Sequence, residues 1–234
     1  MFGYRQIKGL YRKFVPEGLN ANILGGGTAA SRAILEIKKR LEANAPHDDL
    51  YDQVYFERQL SEMETSAVGI AESIKERLNP STVLDVGCGS GSVLVELGKR
   101  GIKGFGFDYA EAALQMCRDR GLEVQKFDLE VDSGDPPRVD LALSTEVAEH
   151  LPESCADRYV DLLCAASDSV LMTAATPGQG GTDHVNEQPN EYWIEKFKAR
   201  GFVENRARTA EWREDWSKRN VDSHRAKNVM FFTK

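Results

Sequence analysis

The sequence contains few cysteines, and none of them belongs to a Cys-x-x-Cys pair. Among its 234 residues there are four, which stand far apart at Cys88, Cys117, Cys155 and Cys164. Such spacing predicts neither a zinc knuckle nor a disulfide framework. Cysteines without disulfide partners favour a reducing compartment, so we expect a cytoplasmic protein.

Long apolar runs are also missing from the sequence. No segment approaches the roughly 20 apolar residues that a membrane-spanning helix needs, and the first residues lack the apolar core of a signal peptide. Internal repeats and long low-complexity segments are absent as well. With 41% hydrophobic residues, the composition is that of an ordinary globular protein, and the length suits one large α/β domain with an extension.

Positive charge is in deficit over most of the chain. The formal net charge is −7, yet residues 1–45 hold eight Lys and Arg against three Glu, a local charge of +5 that leaves −12 for the rest. An acidic main domain disfavours nucleic acid as a partner, because phosphate contacts need clustered cations. We expect a basic helical extension over residues 1–50 and a main domain over residues 51–234.

The basic extension begins with a predicted amphipathic helix over residues 1–15, in which apolar and cationic side chains alternate at helical spacing. One interpretation is peripheral contact with an anionic membrane surface, or with an acidic or phosphorylated partner. The alternative is that the apolar side of this helix packs on the main domain, as most amphipathic helices do.

What the sequence does contain is a glycine-rich turn, in the segment VLDVGCGSG at residues 83–91. Glycine is needed where the backbone takes a positive φ and a ligand approaches closely, and the helix that follows directs its free N–H groups at that ligand. No Lys-Ser/Thr pair follows at the spacing of a phosphate-binding loop, so a nucleoside triphosphate is disfavoured. Asp85, the acid before the first glycine, favours a ligand that carries an ammonium group.

From residue 81 onward, short apolar runs alternate with helical patterns or polar loops. The first five predicted strands cover residues 81–86, 102–107, 122–127, 139–144 and 169–174. Such alternation predicts a parallel sheet covered by helices on both faces, with the loops after the strands on one edge. Toward the end, predicted strands at 202–207 and 228–233 flank a long Trp-rich connection and predict a closing hairpin.

The pattern Asp85-x-Gly87-x-Gly89-x-Gly91 resembles the first motif of class I S-adenosylmethionine-dependent methyltransferases. The resemblance implies a Rossmann-like, seven-stranded, mostly parallel sheet with an antiparallel last strand, and S-adenosyl-L-methionine as the methyl donor. An NAD-dependent oxidoreductase is the competing interpretation, since its fold uses the same turn and an acidic residue after the second strand. Against NAD, the turn here is Gly-x-Gly-x-Gly, and Asp85 would repel a pyrophosphate.

Acidic residues at the ends of further strands complete the predicted cofactor site. Asp108 ends the second strand, where a carboxylate can accept both hydrogens of a ribose diol. The resemblance implies that Asp85 holds the methionyl ammonium through water, Tyr109 lies against the adenine, and Asp128 accepts from the adenine amino group. A solvated carboxylate at Asp108 and a loop-capping role for Asp128 are the alternatives. The predicted cofactor residues are Asp85, Gly87, Cys88, Gly89, Gly91, Asp108, Tyr109, Asp128, Leu129 and Thr145.

A second cluster follows the fourth predicted strand, where Glu146, Glu149 and His150 stand close together in the sequence. On a helical turn, side chains three residues apart project to one side, so the two carboxylates converge. They would repel each other unless a hard cation lies between them, and an imidazole can share that cation. The loop after the fifth strand reaches the same sheet edge and carries His184, which completes a set of two glutamates and two histidines.

This set resembles the Glu-x-x-Glu-His motif and downstream histidine of the metal-dependent 2′-O-methyltransferases of small RNAs, and part of it resembles the ubiquinone-pathway O-methyltransferases. The resemblance implies that Glu146, Glu149, His150 and His184 hold Mg²⁺ or Mn²⁺. The gap between His150 and His184 is shorter here than in the RNA enzymes, so this chain departs from their pattern at His184. The alternative is a metal-free site in which His150 acts as a base or caps a helix. His150 and Glu149 are the predicted proton acceptors.

These residues together predict metal-assisted O-methylation of a vicinal diol on a sugar, a glycan or another hydroxylated small molecule. Tyr192, Trp193 and Trp212 are the predicted substrate contacts, because aromatic faces bind sugar rings and planar rings. Core packing is the common alternative for a tryptophan, and we expect only one tryptophan to touch substrate. RNA 2′-O-methylation is the alternative function within the enzyme class, because the N-terminal extension is basic. Outside the enzyme class, the alternative is a regulatory protein that only binds S-adenosylmethionine.

Overall fold

The computed structural model describes residues 53–181 and 183–234, with side chains from Met63 onward. The predicted basic extension over residues 1–50 and its amphipathic helix lie outside these residues, so the division of the chain at residue 50 stays a prediction. Within the described ranges, no helix combines the length and the apolar character that crossing a membrane requires.

Seven α-helices and seven β-strands make up the part of the chain that the structure describes. The helices are α1 (Gln53–Arg77), α2 (Ser92–Lys99), α3 (Glu111–Asp119), α4 (Ala156–Ala166), α5 (Asn190–Lys198), α6 (Arg206–Lys218) and α7 (Ser223–Asn228). The strands are β1 (Thr82–Val86), β2 (Lys103–Asp108), β3 (Glu123–Lys126), β4 (Leu141–Thr145), β5 (Ser169–Thr173), β6 (Val203–Glu204) and β7 (Met230–Thr233). Two 3₁₀ turns, Ala148–His150 and Glu153–Cys155, lie between β4 and α4.

The strands form a single seven-stranded sheet in the order β3-β2-β1-β4-β5-β7-β6. The central strand β1 is parallel to both neighbours, with Leu84 opposite Phe105 of β2 and opposite Ala142 of β4. Only β7 runs against its neighbours, β5 and β6. The predicted mostly parallel sheet with an antiparallel last strand is confirmed. Since β1, β2, β3 and β4 are parallel, their carboxyl ends meet at one edge of the sheet.

Apolar side chains fill both faces of the sheet. On one face, Leu84 of β1 belongs to a buried cluster that includes Tyr159 of α4. On the other face, Val83 belongs to a cluster that includes Leu94 of α2 and Trp212 of α6. Because β1 is covered on both sides, its side chains form a nearly continuous apolar run instead of an alternating one.

The Trp-rich connection that we predicted between the last two strands is helical in the structure. The side-chain oxygen of Asn205 accepts the backbone N–H of Arg208 at 3.1 Å and caps the start of α6, and Asp222 caps α7 in the same way. Trp212 and Trp216, four residues apart, are the buried side of α6. Of the three charged residues between them, Glu214 is exposed, whereas Arg213 and Asp215 are partly buried, and this run of charges obscured the helical pattern in the sequence.

Candidate functional site

The glycine-rich turn connects the carboxyl end of β1 to α2. Gly87, Gly89 and Gly91 all have positive φ, at 76°, 52° and 73°. A Cβ atom at Gly87 would collide with a methyl group of Val147 in the loop after β4. Glycine is therefore required at this position for two reasons, the backbone conformation and the close approach of a neighbouring loop.

Asp108 ends β2, as the sequence predicted, and its carboxylate is bonded to the glycine turn. Its Oδ2 atom accepts the backbone N–H of Gly89 at 2.8 Å, and its Oδ1 atom accepts that of Ala110 at 2.9 Å. Burial raises the pKa of Asp108 above its ordinary value, although these backbone donors oppose the shift. A third backbone N–H, from Tyr109, also acts on this carboxylate, and the ribose role of Asp108 stays a prediction.

Asp85 lies at the centre of the sheet edge, between Gly106 of β2 and Leu143 of β4. Its side chain is buried, with 3% of its surface exposed. Burial, and secondly the charge of Asp108, raise the pKa of Asp85 to about 7. A cationic ligand beside this carboxylate would offset both effects and favour the ionised form.

The remaining predicted cofactor residues lie along the same edge. Thr145 is the last residue of β4, Cys88 is buried within the glycine turn, and Tyr109 follows Asp108 directly. Asp128 lies beyond the end of β3, where its Oδ1 atom accepts the backbone N–H of Glu130 at 2.9 Å. This bond is the loop-capping interaction that the sequence left open as an alternative, and a role toward adenine stays a prediction. Leu129 packs at the border of the core.

The loop after β4 carries the predicted acidic cluster in an unexpected conformation. Glu146 has a left-handed backbone with φ of 53°, and the 3₁₀ turn begins only at Ala148. The sequence had predicted that Glu146 and Glu149 lie on one continuous helical turn. In the structure they do not, because the turn begins after Glu146. The N–H groups of Val185 and Asn186 donate to the Glu149 carbonyl oxygen at 2.9 and 3.0 Å, which brings the His184 loop to this turn.

Three of the four predicted metal ligands come together in the structure. Glu149, His150 and His184 each offer one ligand atom, and these atoms all lie within 4.8 Å of one another. The two imidazole rings meet edge to face, with centroids 4.9 Å apart. Glu146 lies beside this group, and its Oε2 atom accepts the side-chain N–H of Gln179 at 2.9 Å.

The Nδ1 atom of each histidine lies at hydrogen-bond distance from an oxygen atom of a neighbouring residue. The Nδ1 atom of His150 lies 3.2 Å from the carbonyl oxygen of Asp183, and that of His184 lies 2.9 Å from Oε1 of Glu187. A carbonyl oxygen can only accept, so Nδ1 of His150 carries a proton, and in the neutral ring the lone pair lies on Nε2. Metal-ligating histidines in proteins have this arrangement, in which the second ring nitrogen is fixed by an oxygen acceptor.

Glu149 is the most deeply buried acid of the site. Its side chain is 0% exposed. Among the described residues, the backbone N–H groups of Glu149 and Ala175 and the Glu146 carboxyl lie near its oxygens, but none of them meets strict hydrogen-bond geometry. Burial, and secondly the charge of Glu146, raise the pKa of Glu149 to about 8. Buried oxygens without a hydrogen bond of strict geometry, beside two imidazoles, are a donor set that fits a divalent cation.

The predicted substrate contacts are not brought together. Trp193 and Trp212 are 0% and 1% exposed and belong to the cores on opposite faces of the sheet. Buried indoles present no ring face to a substrate, so the structure corrects the expectation for these two residues. Trp216 is buried as well. Tyr192 is half-buried, and its ring contacts the Lys196 ammonium at 4.9 Å.

Two residues that sequence reasoning missed bind the glycine-rich loop after β5 to the site. Gln179 donates to Glu146 and accepts the side-chain N–H of Asn228 at 2.7 Å. Glu187 accepts from two backbone N–H groups of the loop and from His184. The spacing of three residues between His184 and Glu187 was the sequence feature that could have indicated the second contact.

Comparison with known proteins gives a family match over most of the described chain. The family model described as a methyltransferase domain matches residues 56–217. A ubiquinone biosynthesis O-methyltransferase from Alkalilimnicola ehrlichii is 36% identical over 78 residues, which cover 30% of this chain and 32% of the relative. The chain therefore matches about a third of the length of that relative.

Solved structures with a similar fold include a TehB-like S-adenosylmethionine-dependent methyltransferase from Corynebacterium glutamicum. Its TM-score is 0.53 at 18% identity, over 71% of this chain and 87% of that chain. The magnesium protoporphyrin IX methyltransferase from Synechocystis, with bound S-adenosylhomocysteine, has a TM-score of 0.51 at 16% identity, over 62% of this chain and 75% of that chain. At these identities the likeness shows a common fold.

Proposed function

The chain belongs to the methyltransferase-domain family and is a class I S-adenosylmethionine-dependent methyltransferase. From this premise we propose that it methylates a hydroxyl oxygen of a vicinal diol in a small molecule, such as a sugar. We propose further that a divalent cation assists the reaction. The ubiquinone biosynthesis relative is named as an O-methyltransferase, which supports oxygen as the acceptor atom.

The observation that carries the proposal is the burial of Glu149 beside two imidazoles. An acid whose oxygens form no hydrogen bond of strict geometry with the described residues costs the folded state free energy, unless a cation or a proton offsets its charge. Glu149, His150 and His184 would hold the cation, and the nearby Glu146 would add negative charge to the site. Three protein ligands leave coordination positions open, so two adjacent substrate oxygens can complete the shell.

Residues at the sheet edge would position the methyl donor. Asp85 would neutralise the methionyl ammonium, and Asp108 would accept the ribose hydroxyls while it holds the glycine turn in place. These contacts would hold the methyl donor at the sheet edge, and the remaining requirement would be an acceptor oxygen aligned with its carbon–sulfur bond.

The reaction needs one proton acceptor. A bound divalent cation would lower the pKa of the acceptor hydroxyl and fix its orientation. The hydroxyl proton would pass to His150 or Glu149, the two predicted proton acceptors of the site. The oxygen–carbon bond would form as the carbon–sulfur bond of the methyl donor breaks, to give a methyl ether and S-adenosylhomocysteine.

The cation site can be tested with Mn²⁺, which is detected by electron paramagnetic resonance. Full-length protein with S-adenosylhomocysteine would be titrated as wild type, His184→Ala and His224→Ala. His224 is exposed on α7 and controls for the loss of a histidine as such. We expect one bound Mn²⁺ in wild type and in the control, and affinity at least about tenfold weaker in His184→Ala. Equal affinity in all three proteins, or no binding at all, would exclude this metal site.

The acceptor class can be tested separately by methyl transfer from labelled S-adenosylmethionine. A panel would contain a methyl glycoside, a catechol, matched compounds with a single hydroxyl, and an RNA with a terminal 2′,3′-diol. We expect transfer to the small diols and little to the single hydroxyls. Transfer to RNA alone would show that the small-molecule acceptor class is wrong, while leaving the cation site open to the Mn²⁺ test.

A further inference from the structure

Glu187 lies outside the proposed ligand set but contacts His184 and two glycines of the loop after β5. We propose that Glu187 is a positioning residue, which fixes the protonation pattern of His184 and the course of the glycine-rich loop after β5. The inference rests on the proposed function in one respect, because it takes His184 to be a ligand of the cation.

The carboxylate of Glu187 has three donors around it. Its Oε2 atom accepts the backbone N–H of Gly178 at 2.8 Å, and its Oε1 atom accepts that of Gly180 at 2.6 Å. The same Oε1 atom lies 2.9 Å from Nδ1 of His184. The side chains of Glu187 and His184 are only 18% and 11% exposed, so solvent competes weakly for these bonds.

The direction of the bond between Glu187 and His184 follows from the charge on the carboxylate. Both oxygens of Glu187 accept a backbone N–H group, as the two oxygens of an ionised carboxylate do. An ionised carboxylate has no proton to donate, so the proton between the two groups resides on Nδ1. The lone pair of the neutral imidazole then lies on Nε2, the atom left for a cation.

Glu187 also holds the loop that packs against the His184 ring. Gly178 and Gly180 both have positive φ, at 89° and 70°, and their N–H groups point to the same carboxylate. A Cβ atom at Gly181 would overlap the His184 imidazole, so the loop lies directly on the ring. Between the two bonded glycines stands Gln179, which donates to Glu146. One carboxylate therefore orders the surroundings of both His184 and Glu146.

Three variants separate positioning from a general structural role. Glu187→Gln keeps the size and one acceptor oxygen but removes the charge, and Glu187→Ala removes both. Glu191→Gln, an exposed acid in the first turn of α5, is the matched control. Circular dichroism and the affinity for S-adenosylhomocysteine would establish that each variant is folded. If Glu187→Ala is not folded, the comparison is made with Glu187→Gln instead.

The decisive readout is the tautomer of His184 in metal-free protein with S-adenosylhomocysteine. Long-range ¹H–¹⁵N spectra of histidine-labelled protein, assigned with His184→Ala, distinguish a proton on Nδ1 from one on Nε2. We expect Nδ1–H in wild type and in Glu191→Gln, and a shift toward Nε2–H in Glu187→Ala, with Glu187→Gln between them. Nε2–H in wild type, or the same tautomer in every folded variant, would overturn the assignment.

Mn²⁺ affinity supplies the second readout and keeps the two proposals distinguishable. We expect Glu187→Ala to bind Mn²⁺ about 10–100-fold more weakly than wild type, as is typical for loss of an outer-shell partner, and Glu191→Gln to bind it normally. If wild type binds no Mn²⁺, the proposed function fails, yet the tautomer still decides whether Glu187 positions His184. If wild type binds Mn²⁺ and Glu187→Ala binds it equally well, the positioning role fails alone.

Discussion

The carbonyl oxygen of Glu149 accepts the backbone N–H of Asn186 at 3.0 Å. This bond joins the loop after β4 to the loop after β5, and the neighbouring N–H of Val185 reinforces it at 2.9 Å. Asn186 is itself buried, with 4% of its surface exposed, and its Oδ1 atom accepts from Gln188 at 2.9 Å. Because backbone atoms form this junction, it brings the His184 loop to the acidic cluster without using a side-chain group.

The raised pKa of Asp85 predicts a pH dependence of stability in cofactor-free protein. Between pH 3.8, the ordinary pKa of an aspartate, and about pH 7, Asp85 holds a proton in the folded state that it has released in the unfolded state. Its contribution to stability is therefore complete below about pH 4 and is lost as the pH rises through 7. We expect Asp85→Asn to remove this part of the pH dependence, which amounts to about 2–4 kcal/mol.

The Asp85 prediction is measured by urea denaturation from pH 5 to pH 8, with Asp135→Asn as the control. Asp135 is exposed in the loop before β4. In wild type the affinity for S-adenosylhomocysteine should rise through pH 7, because its ammonium favours the ionised carboxylate. Parallel stability profiles for wild type and Asp85→Asn would contradict the assignment of the raised pKa to this residue.

Asp108 is expected to act on the cofactor both directly and through the glycine turn. Loss of its charge-assisted hydrogen bonds in Asp108→Ala should weaken the binding of S-adenosylhomocysteine by about 1–3 kcal/mol. The two contributions are separated by a double-mutant cycle, in which wild type and Asp108→Ala each bind S-adenosylhomocysteine and its 2′,3′-dideoxy analogue. Calorimetry measures the four affinities. If Asp108 contacts the ribose, the analogue binds wild type more weakly than S-adenosylhomocysteine does, and it loses less affinity than S-adenosylhomocysteine on going to the variant. Additive losses would leave Asp108 with its role in the turn alone.

Two glycines close in sequence are expected to respond to alanine in opposite directions. Gly87→Ala places a Cβ in a left-handed conformation and against Val147, and should lower the free energy of unfolding by about 2–4 kcal/mol. Gly98 lies in α2, with nothing within 4 Å of an added Cβ, so Gly98→Ala should raise it by about 0.5–1 kcal/mol. Urea denaturation measures both changes. Equal effects from the two variants would remove the structural reason for glycine at 87.

The parts of the site that could be predicted from the sequence are those in which neighbouring residues carry the information. Asp108 stands at the end of β2, Asp85 stands one residue before the end of β1, and Gly87 stands where the chain must turn. The conformation of Glu146 could not be predicted in this way. Its left-handed backbone depends on Thr173 of β5, whose hydroxyl accepts the Glu146 N–H at 2.9 Å.

The sequence by itself indicated the seven strands in their order and the acids near the carboxyl ends of the first strands, because periodicity and turn chemistry act over a few residues. The antiparallel last strand was expected from the resemblance to class I methyltransferases, and α6 and α7 were not predicted. The tertiary structure decided the rest. It buried Trp193 and Trp212 in opposite cores, brought His184 to Glu149 through backbone bonds between two loops, and placed Glu187 behind His184. These outcomes depend on which surfaces, distant in the sequence, pack together, and local sequence patterns do not predict that packing.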